Sequence, residues 1–184
     1  MTTIVGVSGS LRAGSLNAAL LEAAAAAMPA GAELRHGTIR GIPLYDGDVE
    51  AQSGLPEAVK TLKEQIAAAD GLLLVTPEYN NSLPGVFKNA IDWLSRPAAD
   101  IPRVFGGRRV ALIGASPGGF GTILSQNAWL PVLKTLGAEL WSGGKLMVSR
   151  AGGVFDAEGH LTDDRVREQL AAFLRGFVGF AAGK

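Results

Sequence analysis

The 184-residue sequence predicts an open, doubly wound α/β sheet of five parallel strands in the order 2-1-3-4-5, with helices on both faces. Three features point to it. Short apolar runs alternate with segments of helical periodicity along the whole chain. The run Gly71–Val75 is apolar throughout, as a strand buried on both faces of a parallel sheet must be. No repeat, linker or low-complexity segment breaks the alternation, so residues 1–184 read as a single domain.

The first strand is Thr3–Val7, and the first helix, Ser15–Met28, is stopped by Pro29 and Gly31. Leu16, Leu20, Ala23, Ala24 and Ala27 share one helical face, small enough to sit close on a sheet. The second strand, Glu33–Thr38, is less apolar, as an edge strand would be. Gly41–Pro56 reads as a long connector, with Asp46, Asp48 and Glu50 as its surface acids. A second helix, Pro56–Ala69, turns Val59, Leu62 and Ile66 inward, and the third strand is Gly71–Val75. Pro84 suits the first turn of a third helix ending at Leu94. The fourth strand is Arg109–Gly114, and the fourth helix Thr122–Leu136. The fifth strand is Ala138–Trp141, continued by Lys145–Val148 after a Gly-Gly break. The fifth helix is capped by Thr162 and runs through Val166, Leu170, Phe173, Leu174 and Phe177.

In such a sheet, ligands bind outside the carboxyl ends of the strands at the switch in strand order. The loops after strands one, three and four meet there, and they are the three unusual loops of this chain. Loop one, Gly9-Ser-Leu-Arg-Ala-Gly-Ser15, combines small residues, the hydroxyls of Ser8, Ser10 and Ser15, and the charge of Arg12, ahead of a helix N-terminus. That combination suits a phosphate. It is neither a Gly-x-Gly-x-x-Gly dinucleotide turn nor a nucleoside-triphosphate loop ending in Lys-Ser/Thr. Alone, it fits a plain strand-to-helix turn capped by Ser15 equally well. Loop two, Pro77-Glu-Tyr-Asn80, offers amides, polar tips and a flat aromatic. Loop three, Ser116-Pro-Gly-Gly-Phe120, leaves room for a planar ring at Gly118 and Gly119. A phosphate at one end and a flat, hydrogen-bonding ring at the other describe FMN.

Composition narrows the alternatives. Seventeen basic and seventeen acidic residues cancel, which argues against a nucleic-acid binder and against an acidic electron shuttle. With no cysteine, disulfides, iron–sulfur clusters, zinc–thiolate sites and thiol catalysis are excluded. His36 and His160 are too far apart in sequence to suggest a metal site, and Asp156–Gly159 lacks calcium-loop spacing. The Ala-rich run 23–27 is too short to span a bilayer, and no basic leader precedes the first strand, so a cytoplasmic protein is expected, without membrane or nucleic-acid partners.

Essentially the whole chain resembles the NAD(P)H-dependent FMN reductase and quinone reductase family, which includes chromate- and azo-reducing bacterial flavoenzymes. Three stretches carry the resemblance: Gly9-Ser-Leu-Arg-Ala-Gly-Ser-Leu-Asn17; Pro77-Glu-Tyr-Asn-Asn-Ser-Leu-Pro-Gly85 with Lys88-Asn-Ala-Ile-Asp-Trp-Leu-Ser95; and Gly114-Ala-Ser-Pro-Gly-Gly-Phe-Gly121. The resemblance implies a flavodoxin-like fold. It implies phosphate contacts at Ser10, Arg12, Ser15, the Leu16 backbone and Asn17. It implies ring contacts at Pro77, Glu78, Tyr79, Asn80, Ser116, Gly118 and Gly119. It further implies a homodimer, or a dimer of dimers, with the third helix near the two-fold axis and Asp92 and Trp93 at the interface; the alternative for Trp93 is the core. Well-defined tetramers in the family carry an Arg early in the fourth helix, where this chain has Thr122-Ile-Leu-Ser-Gln126.

The expected activity is hydride transfer from NADPH or NADH through FMN to a small acceptor: a quinone, a flavin, an azo compound or a metal oxyanion. Such chemistry belongs to the cofactor, so no catalytic side chain and no metal are expected. Two other classes remain: a flavodoxin-type electron carrier without nicotinamide turnover, and a phosphate-binding module without flavin.

Overall fold

The computed structural model describes residues 1–183. Its elements are β1 (Thr2–Ser8), α1 (Leu16–Ala26), β2 (Ala32–Gly37), α2 (Gly47–Ser53), α3 (Glu57–Ala67), β3 (Gly71–Val75), α4 (Gly85–Leu94), α5 (Ile101–Val104), β4 (Arg109–Ala115), α6 (Ile123–Thr135), β5 (Glu139–Leu140), β6 (Leu146–Val148) and α7 (Asp164–Ala181). Every strand pair is parallel, and the order is β2-β1-β3-β4-β5. The flavodoxin-like expectation therefore holds. The fifth position is filled in two pieces: β5 pairs with Arg109 and Val110, and β6 pairs with Ile113–Ala115. The break between them accommodates the Trp141 indole, which would lie 2.7 Å from a Cβ at either Gly143 or Gly144.

Strand alternation sorts the core into two layers. On one face Val5, Val7, Leu72, Leu74 and Val110 pack against α3, α4 and α6, centred on Phe87, Trp93 and Trp129. On the other, Ile4, Leu73, Val75, Ala111 and Ile113 meet α1 and α7. All of β3 is buried, as its sequence requires. The inward set of α3, Val59, Leu62 and Ile66, is buried as expected. On α1 the packing face also takes in Leu21 and Asn17.

Four local expectations need correction. The connector Gly41–Pro56 contains α2, whose N-cap Asp46 accepts the Asp48 N–H at 2.9 Å. A short α5 lies between α4 and β4, so the helices number seven among the described residues, not five. The N-cap of α7 is Asp163, which accepts from Val166 at 2.9 Å; the Thr162 hydroxyl instead donates to the Val154 carbonyl. Trp93 has no exposed surface, and its Nε1 donates to the Pro43 carbonyl at 3.0 Å, so it is a core residue with nothing to offer a second copy.

The acids of the connector have definite work. Glu50 accepts from Arg96 Nε and from the Tyr45 hydroxyl, both at 2.9 Å, which pins α2 to the segment after α4. Deeper in, buried Lys63 donates to the Arg96 carbonyl and pairs with Asp100 at 2.7 Å. The Arg96 hydrogen bond, helped by Tyr45, holds the Glu50 carboxyl below the usual glutamate range. A depressed folded-state pKa adds stability above the ordinary glutamate value and loses it as the pH falls through the depressed one. Acid unfolding of Glu50→Gln should therefore be less pH-dependent than wild type in that window. Superimposable profiles of unfolding midpoint against pH would contradict this.

Candidate functional site

Parallel pairing brings the carboxyl ends of β1, β3 and β4 to one edge, and the three loops are joined there by named bonds. Loop one begins where the Gly9 N–H donates to the Val75 carbonyl at 2.9 Å. Gly9 is required: a Cβ there would lie 2.1 Å from the Phe87 ring. The loop ends at Ser15, the N-cap of α1, whose Oγ accepts the Ala18 N–H at 3.2 Å. The first-turn N–H groups of Leu16 and Asn17 have no helical acceptor and open toward the loop. Ser10 Oγ accepts the Arg12 N–H at 3.4 Å. Both serine hydroxyls thus accept from the backbone and keep their own hydrogen to donate. Arg12 folds over the loop, its Nε and Nη2 donating to the Gly14 carbonyl at 3.2 and 2.6 Å.

Asn17 does more than its motif suggests. Its side chain is buried against the end of β4. Nδ2 donates to the Ala115 carbonyl, and Oδ1 accepts the Ala115 N–H, each at 2.9 Å. This two-point bridge ties loop one to loop three.

Loop two is a miniature hairpin. Tyr79 and Ser82 exchange both backbone hydrogen bonds at 3.0 Å around Asn80 and Asn81, whose φ values are +50° and +60°. Two left-handed residues are what a type I′ turn needs, and Asn adopts that conformation readily. Tyr79 stands exposed at the rim, while Pro77 is buried. The Glu78 carboxylate reaches across to α6, accepting the N–H groups of Leu124 and Ser125 at 2.9 and 3.0 Å. It therefore caps α6 in place of Thr122, whose side chain makes no capping bond. Below it, Thr76 Oγ1 accepts from Trp129 Nε1 at 3.0 Å and lies 2.8 Å from Ser125 Oγ, a buried link between loop two and α6.

Loop three follows Ala115, and just before it, at Gly114, a Cβ would lie 2.2 Å from the Thr76 carbonyl and from Thr122 Oγ1. Ser116 Oγ accepts the Gly118 N–H at 3.1 Å, and the Gly118 carbonyl accepts from Arg150 at 2.9 Å. Beyond these anchors Gly119 borders open space, and Phe120 is 84% exposed.

Within one edge the structure thus gathers Ser10, Arg12, Ser15, Leu16 and Asn17 from loop one with Pro77–Asn80 and Ser116–Gly119. Sequence reasoning missed the bridging of Asn17 and the capping by Glu78. The Ser8 hydroxyl, read from the sequence beside those of Ser10 and Ser15, is the one buried side-chain polar atom without a partner among the described residues. Ser8 follows Ile4 and Gly6 on the α1 side of β1, beneath the start of that helix. A groove of about 1020 Å³ lies elsewhere, between the outer side of α1 and Phe155–Leu161; it shares only the Ala13–Leu16 end of loop one with the rim. Its Asp156, Glu158 and His160 are exposed, and a His160 hydrogen bond keeps Asp156 ionised below the usual carboxylate range.

These features fit FMN. The Ser8 hydroxyl has no partner, the Leu16 and Asn17 amides have no helical acceptor, and a Cβ at Gly118 or Gly119 would meet nothing closer than 3.4 Å. A family model described as NADPH-dependent FMN reductase matches residues 2–153. An NAD(P)H-dependent FMN reductase of Pseudomonas aeruginosa is 47% identical over 167 residues, covering 91% of this chain and 88% of that protein. A 2-hydroxy-1,4-benzoquinone reductase of a Burkholderia species is 40% identical over 174 residues, covering 95% and 93%. Among solved structures, a flavoenzyme NAD(P)H:(acceptor) oxidoreductase from Paracoccus denitrificans superposes with a TM-score of 0.88 at 33% identity, over 100% of this chain and 98% of that one.

Replacing Asn17 by Ala strands the Ala115 N–H and carbonyl without partners. A loss of about 1–3 kcal/mol in unfolding free energy is expected, with faster amide exchange at Ser116–Gly119. Wild-type stability with unchanged exchange would show that the bridge is dispensable.

Proposed function

The chain belongs to the NADPH-dependent FMN reductase family, and on that premise we propose how its own residues hold the cofactor and select what reacts. It is an NAD(P)H-dependent flavin oxidoreductase with FMN as cofactor and a reduced nicotinamide as co-substrate. The observation that carries the proposal is the joining of three loops into one rim by the Asn17–Ala115 and Glu78–α6 bonds.

In the proposed arrangement Ser10 and Ser15 donate their hydroxyl hydrogens to the FMN phosphate, Arg12 provides charge, and Leu16 and Asn17 provide amides at the positive end of α1. Pro77, Glu78, Tyr79 and Asn80 border the ring on one side; Ser116, Gly118 and Gly119 border it on the other. When bound, FMN supplies the hydride chemistry. The protein orients the ring, and loop-three amides stabilise negative charge beside it. The side chain of Glu78 is held by α6, so its backbone is the part that meets the ring. No nucleophile or general base is required of the chain. The acceptor is proposed to be a small planar oxidant of the quinone class, with flavins, azo compounds and metal oxyanions as further candidates. The 2-hydroxy-1,4-benzoquinone reductase relative supports the first of these.

The proposal extends to a single domain acting as a homodimer in the cytoplasm, where reduced nicotinamides are made. Among the described residues no helix is long and apolar enough to cross a membrane. In favour of a dimer, α6 is apolar on two sides. Ser125, Gln126, Trp129 and Leu133 face inward, while Ile123, Leu124, Leu130 and Pro131 lie exposed on the opposite side. A groove of about 360 Å³ separates this helix from α4, bordered by Lys88, Ile91, Ser95 and Val132. Exposed apolar helix faces of this kind mark interfaces.

Purified protein reconstituted with FMN should be yellow and should oxidise NADPH or NADH when a benzoquinone is added. Flavin binding without nicotinamide turnover would favour the electron-carrier class, and no flavin binding would remove the proposal. Gly119→Val should weaken FMN or shift its potential, because it fills the open space beside the ring; unchanged affinity and potential would exclude loop three from the site. Leu130→Glu should halve the mass seen by sedimentation, and an unaltered mass would place any dimer contact elsewhere.

A further inference from the structure

Loop one is served by a cation that its own motif does not contain. Arg40 lies on the turn after β2, the strand beside β1, so its turn comes to the same rim. That turn is built to hold it. Ile39 is anchored in the core, the Thr38 hydroxyl accepts the Arg40 N–H at 3.1 Å, and Gly41 follows at φ +79°. From this root, Arg40 Nη2 donates to the Leu11 carbonyl at 3.0 Å. Arg12 is pinned to the Gly14 carbonyl, three residues along the same loop.

Both guanidiniums are exposed and retain further N–H donors. Neither has a carboxylate partner among the described residues; Arg35, Arg96, Arg103, Arg109 and Arg167 have one, while Arg108, Arg150, Arg165 and Arg175 likewise have none. Two unpaired like charges on one loop, beside the positive end of α1, repel one another until an anion joins them. Resting on the flavoenzyme reading above, we infer that Arg40 and Arg12 form a two-guanidinium clamp at the outer lip of loop one for a phosphate monoester dianion. That chemistry has two sources in the proposed reaction: the terminal phosphate of FMN and the 2′-phosphate of NADPH.

The test compares wild type, Arg40→Ala and Arg40→Gln. FMN and riboflavin are titrated into apo-protein by fluorescence quenching, and NADP⁺ and NAD⁺ into FMN-loaded protein by calorimetry. Arg40→Gln keeps a donor for the Leu11 carbonyl but loses the charge. Both variants should bind one phosphate-bearing ligand about tenfold more weakly, leave its phosphate-free counterpart unchanged, and lose the difference in high salt. A changed FMN-to-riboflavin ratio assigns the clamp to the flavin; a changed NADP⁺-to-NAD⁺ ratio assigns it to the nicotinamide. Unchanged ratios in both pairs overturn the inference, as does equal weakening within each pair or wild-type behaviour of Arg40→Gln. If wild type itself binds no flavin, the functional reading falls together with the clamp.

Discussion

A single buried carboxamide holds the rim together. Asn17 presents a donor and an acceptor to the acceptor and donor of Ala115, and both bonds close at 2.9 Å in a place water does not reach. The backbone N–H and C=O of a buried residue at a strand end both need partners, and leaving either one open costs free energy. The bridge therefore fixes the start of α1 relative to the end of β4. The same bridge sets how far loop one stands from loop three. Glu78 plays the matching part on the other side, tying loop two to the first turn of α6. A site assembled this way is formed before its ligand arrives, so little ordering remains to be done on binding.

The features legible in the sequence were those with local causes. Apolar runs gave the buried strands, and Ser15 was identified as a cap because its acceptor role is satisfied three residues away. The sheet order followed from general rules of handedness and connection, and it was enough to predict which three loops would meet. Long-range partners were not legible. Asn17 and Ala115 are 98 residues apart, and Glu78 and Leu124 are 46 apart, so neither bond leaves a periodic trace. Thr162 and Asp163 are both good caps, and the choice between them was made by the Val154 carbonyl, which takes the Thr162 hydroxyl. The short α2 escaped because its one strong local signal, Asp46, sits among other turn residues. Arg40 belongs to no motif; only its contact with Leu11 marks it.

Charge is arranged as economically as the backbone. The chain is neutral overall, and many of its arginines are paired with acids away from the rim. The cations left unpaired at loop one stand where backbone amides and a helix end already favour an anion. Around loop three the opposite holds. The exposed groups there include Phe120, Ile123 and Leu124, an apolar stretch of surface. One end of the rim is charged and the other apolar.

Backbone amide spectra of the apo-protein during addition of FMN test this account most directly. Residues of Ser10–Asn17, Glu78–Asn80 and Ser116–Gly119 should all shift and should saturate together at one equivalent, because they frame one ligand. Shifts confined to a single loop, or centred on the groove between α1 and Phe155–Leu161, would contradict it.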